Sequence, residues 1–214
     1  MQVELVKPKN RLLRKFIQYF LFIKNEDKNY KKTHISYPNT NYCLGLYKSS
    51  SIAKLSDNAF EVSASNNYKS YLTGIYQKPL SIHYRGVFNE VCINFEPLGL
   101  EMLTGVKVSN NIFVQDIVEL AFPKYRSSIY DFAFANNNSI SRALMLEEFF
   151  LRNLPSRNKT EFVHFNKIRA NKMDDLKAIH HKSYRSIHRT YKNLLSVTPK
   201  EFLNLRRFRR SVQK

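Results

Sequence analysis

The tetrapeptide Thr198-Pro199-Lys200-Glu201 leaves the backbone around it little freedom. A threonine able to cap, a proline at the first helical position and a glutamate at the third form a capping box, so one helix has to start there and the preceding one has to stop. Upstream, Ser183 is placed to cap the preceding helix, whose buried face would hold Ile187, Tyr191 and Leu194 or Leu195. Asp174 or Asp175 can cap a shorter helix reaching His180. From Met173 onward the chain therefore reads helix, tight turn, helix, turn, helix. The third helix would bury Phe202, Leu205 and Phe208 and turn Arg206, Arg207, Arg209 and Arg210 outward.

Charge is concentrated on the same segment. Of a net +18, residues 151–214 carry 17 Lys and Arg against 4 Asp and Glu. A clustered excess on predicted helices suits a polyanion, because each phosphate neutralised releases condensed counterion. A solvated basic surface explains the charge equally well. An anionic membrane surface is the poorer fit, since the Arg-rich stretch lacks a continuous bulky apolar face.

The first 154 residues have a different texture. Leu12, Leu13, Phe16, Ile17 and Phe20 recur at helical spacing, which predicts a helix from about Lys9 to Tyr19, followed by an FLFI strand. THISY, NYCLGLY, FEVSAS, KSYLTGIY, LSIHYRGV and EVCINFEP then follow as short alternating or aromatic runs broken by Asn, Ser, Pro and Gly. That pattern predicts a small antiparallel β-barrel or sandwich. From Pro97 the period turns helical, through PLGLEMLTGV, IFVQDIVELAF and SISRALMLEEFFLRNL, with Ile140, Leu144, Leu151 and Leu154 as the apolar stripe of the last. Pro155 to Asn158 reads as a linker. The expected fold is α+β: a barrel-plus-helices sensory or dimerisation domain over 1–154 and an all-α helix-turn-helix segment over 159–214.

Several classes are disfavoured. With 43% hydrophobic residues the chain can bury a core, and no apolar run approaches the roughly 20 residues of a membrane span. The N-terminus mixes charge into its apolar stretch and lacks a small-residue cleavage site, so we expect a cytoplasmic protein with no membrane partner. Cys43 and Cys92 sit in apolar, strand-like surroundings, where free cysteines behave as small hydrophobes. Two cysteines alone make no structural zinc site. His34 and His83 are the barrel's histidines and Glu96 the nearest carboxylate expected beside them, without HxH or HExxH spacing. We therefore expect no enzyme activity, no metal and no cofactor.

SYRSIHRTYKNLLSVTPKEFLNLRRFRRS resembles the first helix-turn-helix and connecting helix of AraC-type transcription regulators, through Ser183, Ile187, Arg189, Tyr191, Thr198-Pro199, Phe202 and Arg207-Phe208. Upstream, Tyr37-Pro38, the Gly74 to Leu80 turn, Phe95 to Gly99 and Leu146-Glu147 to Leu154 resemble the branch of that family with a small β-barrel N-terminal domain. The resemblance implies a sequence-specific DNA-binding transcription regulator, or a truncated form of one, that inserts helix 184–195 into the major groove. It places Arg185, His188 and Arg189 on base edges and Ser183, Tyr184, Lys192, Arg206, Arg207, Arg209 and Arg210 on phosphates. Double-stranded DNA, a second copy of the chain and a small-molecule effector in the N-terminal domain are the implied partners. His181 and Ser196 stand where the family usually has glycine, Lys177 replaces a small residue, and the second helix-turn-helix is missing. The alternative expectation is a protein-interaction or vestigial regulator module without independent operator binding.

Overall fold

The computed structural model describes residues 1–105, 113–121, 126–136, 138–155, 170 and 172–212. It is a mixed α+β structure whose N-terminal part is a curled sheet, and its strands are β1 Gln2–Val6, β2 Ile17–Asn25, β3 Lys31–Ser36, β4 Tyr42–Ser56, β5 Ala59–Thr73, β6 Leu80–Arg85, β7 Phe88–Phe95 and β8 Phe113–Gln115. Spatial order is β1-β2-β7-β4-β5-β6-β3, with β8 added to β5. All pairings are antiparallel except β5 with β6, which run parallel, so the sheet is not the purely antiparallel one expected. The FEVSAS and KSYLTGIY runs are halves of one strand, β5, which forms a long hairpin with β4. The register slips between Lys48 and Ser50, where Ser49 adopts φ 58, and such a bulge bends the ribbon.

The helix expected over 9–19 is replaced by a 3₁₀ turn at Leu13–Lys15, after which Ile17 already pairs with Phe95. The backbone groups of this segment are satisfied partly from within the turn and partly by distant groups. The Glu147 carboxylate accepts the Lys9 and Asn10 amides at 2.7 Å each, Asn10 Oδ1 accepts those of Leu12 and Leu13, and the Phe16 carbonyl accepts from the Glu96 amide. Leu13, Phe16, Ile17 and Phe20 are all buried, so their spacing reported a shared core rather than a helical face.

Helices α1 Gly99–Thr104, α2 Ile117–Ala121, α3 Arg126–Phe134 and α4 Ser139–Arg152 follow. They share a hydrophobic cluster with one face of the sheet, where Phe20, Leu44, Leu46, Leu72, Val91, Ile93 and Phe95 alternate along the strands as the pleat requires. The face α4 buries is Arg142, Ala143, Leu146, Glu147, Phe149 and Phe150. Ile140 and Leu144 of the expected stripe are instead 51% and 42% exposed. Arg142 and Glu147 displace them because their head groups find partners inside. The Arg142 guanidinium lies 4.8 Å from the Phe22 ring and 5.1 Å from the Phe134 ring and donates to the Ala133 carbonyl. Burial lowers it to about 10, with Glu4 opposing.

Three more helices complete the described chain: α5 Met173–His180, α6 Tyr184–Leu195 and α7 Pro199–Val212. Ile187, Tyr191, Leu195, Val197, Phe202, Leu203 and Leu205 extend the same cluster. Most of the linker expected over 155–158, and residues 159–169 of the C-terminal segment, lie outside the described residues. Among the described residues, no helix is long and apolar enough to cross a membrane.

Candidate functional site

Two regions concentrate chemistry. The first is the surface of the C-terminal helices. Lys172, rather than Asp174 or Asp175, is the cap of α5, and its amide donates to Asp175 Oδ2 at 3.0 Å. His181 and Ser196, at the two turns, adopt φ 48 and 62, the left-handed region that glycine occupies without strain. Ser183 Oγ accepts from the Ser186 amide as the cap of α6, and Thr198 and Glu201 exchange both bonds of the capping box, Thr198 N to Glu201 Oε2 at 2.6 Å and Glu201 N to Thr198 Oγ1 at 3.2 Å. The Thr198 amide heads the causes that hold the Glu201 carboxyl below its usual value.

On α6, Ile187, Tyr191 and Leu195 are buried, and Tyr184, Arg185, Arg189 and Lys192 are exposed. Leu194 is 38% exposed and lies beside Tyr42 and Leu98. His188 is half-buried, its ring 6.0 Å from that of Tyr184. No acidic residue occurs between Leu176 and Lys200, so this face carries positive charge alone; Glu201 just beyond approaches Lys192 at 4.0 Å.

The arginines of α7 divide. Arg207 and Arg210 are exposed, Arg207 donating to Asn204 Oδ1. Arg206 is half-buried over the Phe202 ring, close enough to Glu96 to interact electrostatically. Arg209 is half-buried and lines a cavity of the sheet. Phe208, expected inside, is 37% exposed with its ring 6.3 Å from Tyr37.

That cavity, about 390 Å³, is the second region and fills the hollow of the curled sheet. Its walls are the side chains that alternate with the helix-packed ones: Tyr19 and Leu21 of β2, Cys43 and Tyr47 of β4, Tyr71 and Thr73 of β5, and Glu90, Cys92 and Asn94 of β7. Glu90 is the centre of its polar network. Its carboxylate accepts from Tyr84 Oη at 2.7 Å, Tyr71 Oη at 3.1 Å and Cys92 Sγ at 2.9 Å, and Tyr47 hydrogen-bonds Tyr84 in turn. Burial, with Glu90 beside them, pushes the phenols of Tyr47 and Tyr84 well above their ordinary range. Tyr71 reaches this network because Gly45 lies beneath it: a Cβ on Gly45 would stand 2.1 Å from the ring.

Also lining the cavity, Asn41 is buried and donates through Nδ2 to Asn94 Oδ1 at 3.2 Å, while its own Oδ1 has no partner. An unmatched buried acceptor facing a cavity is a ready contact for a ligand N–H or O–H.

The histidines do not converge. Thr33 pairs with His83 and His34 with Ile82 in the β3–β6 ladder, so successive positions alternate faces; His34 lines the cavity while His83 meets Thr33 Oγ1 on an exposed surface at 2.8 Å. Glu96 is at the other end of β7, near Gln18 and Arg206. Glu90 was not among the sequence-predicted site residues, although NEVCINF carries the signal: Glu90, Cys92 and Asn94 alternate with Val91, Ile93 and Phe95. No protein-family model matches the chain, and no curated protein matches it either.

Proposed function

We propose that the chain is a DNA-binding transcription regulator of AraC type, or a truncated form of one, in which α6 enters the major groove with Arg185, His188 and Arg189 toward base edges. The observation that carries this reading is the acid-free outer face of α6, on a helix capped by Ser183 and packed through Ile187, Tyr191 and Leu195. Long donors on a firmly seated helix can be presented to a groove without first being ordered. Ser183, Tyr184, Lys192, Arg207 and Arg210, all exposed, surround that face as phosphate contacts, whereas Arg206 and Arg209 are half-buried against the sheet. The cavity takes the small-molecule effector, with Asn41 Oδ1 as one of its acceptors. The exposed Ile140 and Leu144 of α4 support pairing with a second copy.

Fluorescence-anisotropy titration against duplex DNA at two salt concentrations tests this, beside a variant with Arg185, His188 and Arg189 changed to Ala. The expected result is binding whose logarithm falls with log salt by about 0.9 per phosphate contacted, and its loss in the variant. Absence of binding at low salt, or a variant that binds equally well, overturns the assignment. The placement of Arg206 and Arg209 against the sheet favours one other reading, an interaction module without independent operator binding, which expects no binding even at low salt.

A further inference from the structure

The chain has two cysteines, distant in sequence, and the sheet places them on one wall of the cavity. In the β4–β7 ladder Cys43 lies opposite Asn94 and Gly45 opposite Cys92, so the two thiols are diagonal neighbours on the same face. Gly45, directly across from Cys92, has no side chain of its own, and the Tyr71 ring lies over it beside the two thiols. Cys43, burial and Glu90 together push the Cys92 thiol well above its ordinary range, so Cys92 is the less reactive of the two and suits the second, resolving role. Cys92 Sγ also donates to Glu90 Oε1 at 2.9 Å and lies 3.7 Å from Tyr71 Oη. Their exposures differ: Cys92 is buried and Cys43 is half-buried.

We propose that Cys43 and Cys92 form a peroxide-oxidisable dithiol that closes to an intramolecular disulfide between β4 and β7. This assignment is independent of the DNA-binding reading. Buried structural cysteines are inert because oxidants do not reach them and no base takes their proton; here the cavity supplies access to one thiol and Glu90 supplies the base for the other. Hydrogen peroxide is the oxidant. The Cys43 thiol gives its proton to water in the cavity, the resulting thiolate attacks one peroxide oxygen, the O–O bond breaks, and the departing hydroxide takes up that proton to become water, giving a Cys43 sulfenic acid. Cys92 sulfur then attacks the Cys43 sulfur as its proton passes to Glu90. The S–O bond breaks, hydroxide departs, and the proton returned from Glu90 makes the second water. Two thiols and one peroxide thus become one disulfide and two waters, and an added dithiol reverses the closure by exchange. Oxidation removes one of the three donors to Glu90, leaving those of Tyr71 and Tyr84.

The test treats the full folded chain with hydrogen peroxide and follows intact mass, free-thiol content and the peptide map, with circular dichroism confirming the fold of each variant. The wild type should lose both thiols together, become lighter by two hydrogens as a monomer, yield one cross-linked peptide pair containing Cys43 and Cys92, and recover on adding dithiothreitol. Cys92→Ser should stop at a Cys43 sulfenic acid captured by dimedone, formed at the wild-type rate. Cys43→Ser should leave Cys92 reacting about tenfold more slowly or worse, in line with its burial. Glu90→Gln should leave the first step unchanged and lengthen the lifetime of the dimedone-reactive species. The proposal is overturned if wild-type thiols persist under peroxide that oxidises the denatured chain, if over-oxidised Cys43 or intermolecular dimers replace the monomeric disulfide, or if each thiol reacts at the same rate in its single variant.

Discussion

The two faces of the curled sheet are made by the same strands and are held by different physics. Toward the helices, β4 and β7 present Leu44, Leu46, Val91, Ile93 and Phe95, apolar groups whose contribution scales with the area removed from water and is shared among many neighbours. Toward the cavity the same strands present Cys43, Gly45, Tyr47, Glu90, Cys92 and Asn94, where a single carboxylate organises three donors and one missing side chain makes room for a ring. One face tolerates substitution by kind. The other is specified atom by atom, and specificity of that sort has more to do with what a site recognises than with how firmly it is held.

The largest effect belongs to the apolar face. Ile93, fully buried between β2 and β4, should cost about 2–5 kcal/mol on change to Ala, read as a lower urea midpoint at unchanged slope. Should the loss fall within experimental error, the helix-packed face is not the core. On the cavity face, Glu90→Gln replaces one acceptor oxygen by a donor among three donors, at about 1–3 kcal/mol by the same measurement. A neutral result there would mean that the network contributes nothing to stability. Gly45→Ala should cost about 1–3 kcal/mol, because the added methyl meets the Tyr71 ring, and Gly45→Ala with Tyr71→Ala should recover part of the loss. Independent, additive losses would show that the ring and the glycine do not meet.

Two smaller effects lie off the sheet and calibrate the comparison. Ser196→Gly relieves a left-handed backbone and should stabilise by about 1 kcal/mol, seen as a higher unfolding midpoint; a lower one would place Ser196 outside that conformation. The Glu201 carboxyl is held below its ordinary value of 4.5 in the folded state, so its contribution is complete above that value and disappears as pH falls through the lower folded one. Acid titration of stability should therefore show a slightly steeper decline below pH 4.5 in the wild type than in Thr198→Ala, and identical curves would remove the capping box as the cause.

What the sequence disclosed follows from where each element obtains its partners. The capping box at Thr198 and the cap at Ser183 are local bonds, and both are present at the positions the sequence predicts. Strand-like runs were visible because alternation is local too. The segment 9–19 misled because its Lys9 and Asn10 amides are satisfied by Glu147 and its strand by β7, neither of which its spacing reveals. The stripe on α4 misled for the reverse reason: Arg142 and Glu147, polar by composition, are buried by partners distant in the chain. Within the cavity, the alternation of Glu90, Cys92 and Asn94 marked a shared face, but their convergence with Tyr71 of β5 and Tyr84 of β6 is set by strand pairing between segments distant in the chain, which composition does not announce.

The bonds from Glu147 to Lys9 and Asn10 join groups 138 and 137 positions apart. Contacts of that span are closed late, because the entropy of bringing distant segments together has to be met before the contact can return anything. A nascent chain emerging N-terminus first holds those two amides open until α4 has been synthesised. Glu147 is thus the clasp that joins the beginning of the chain to a helix made long afterwards.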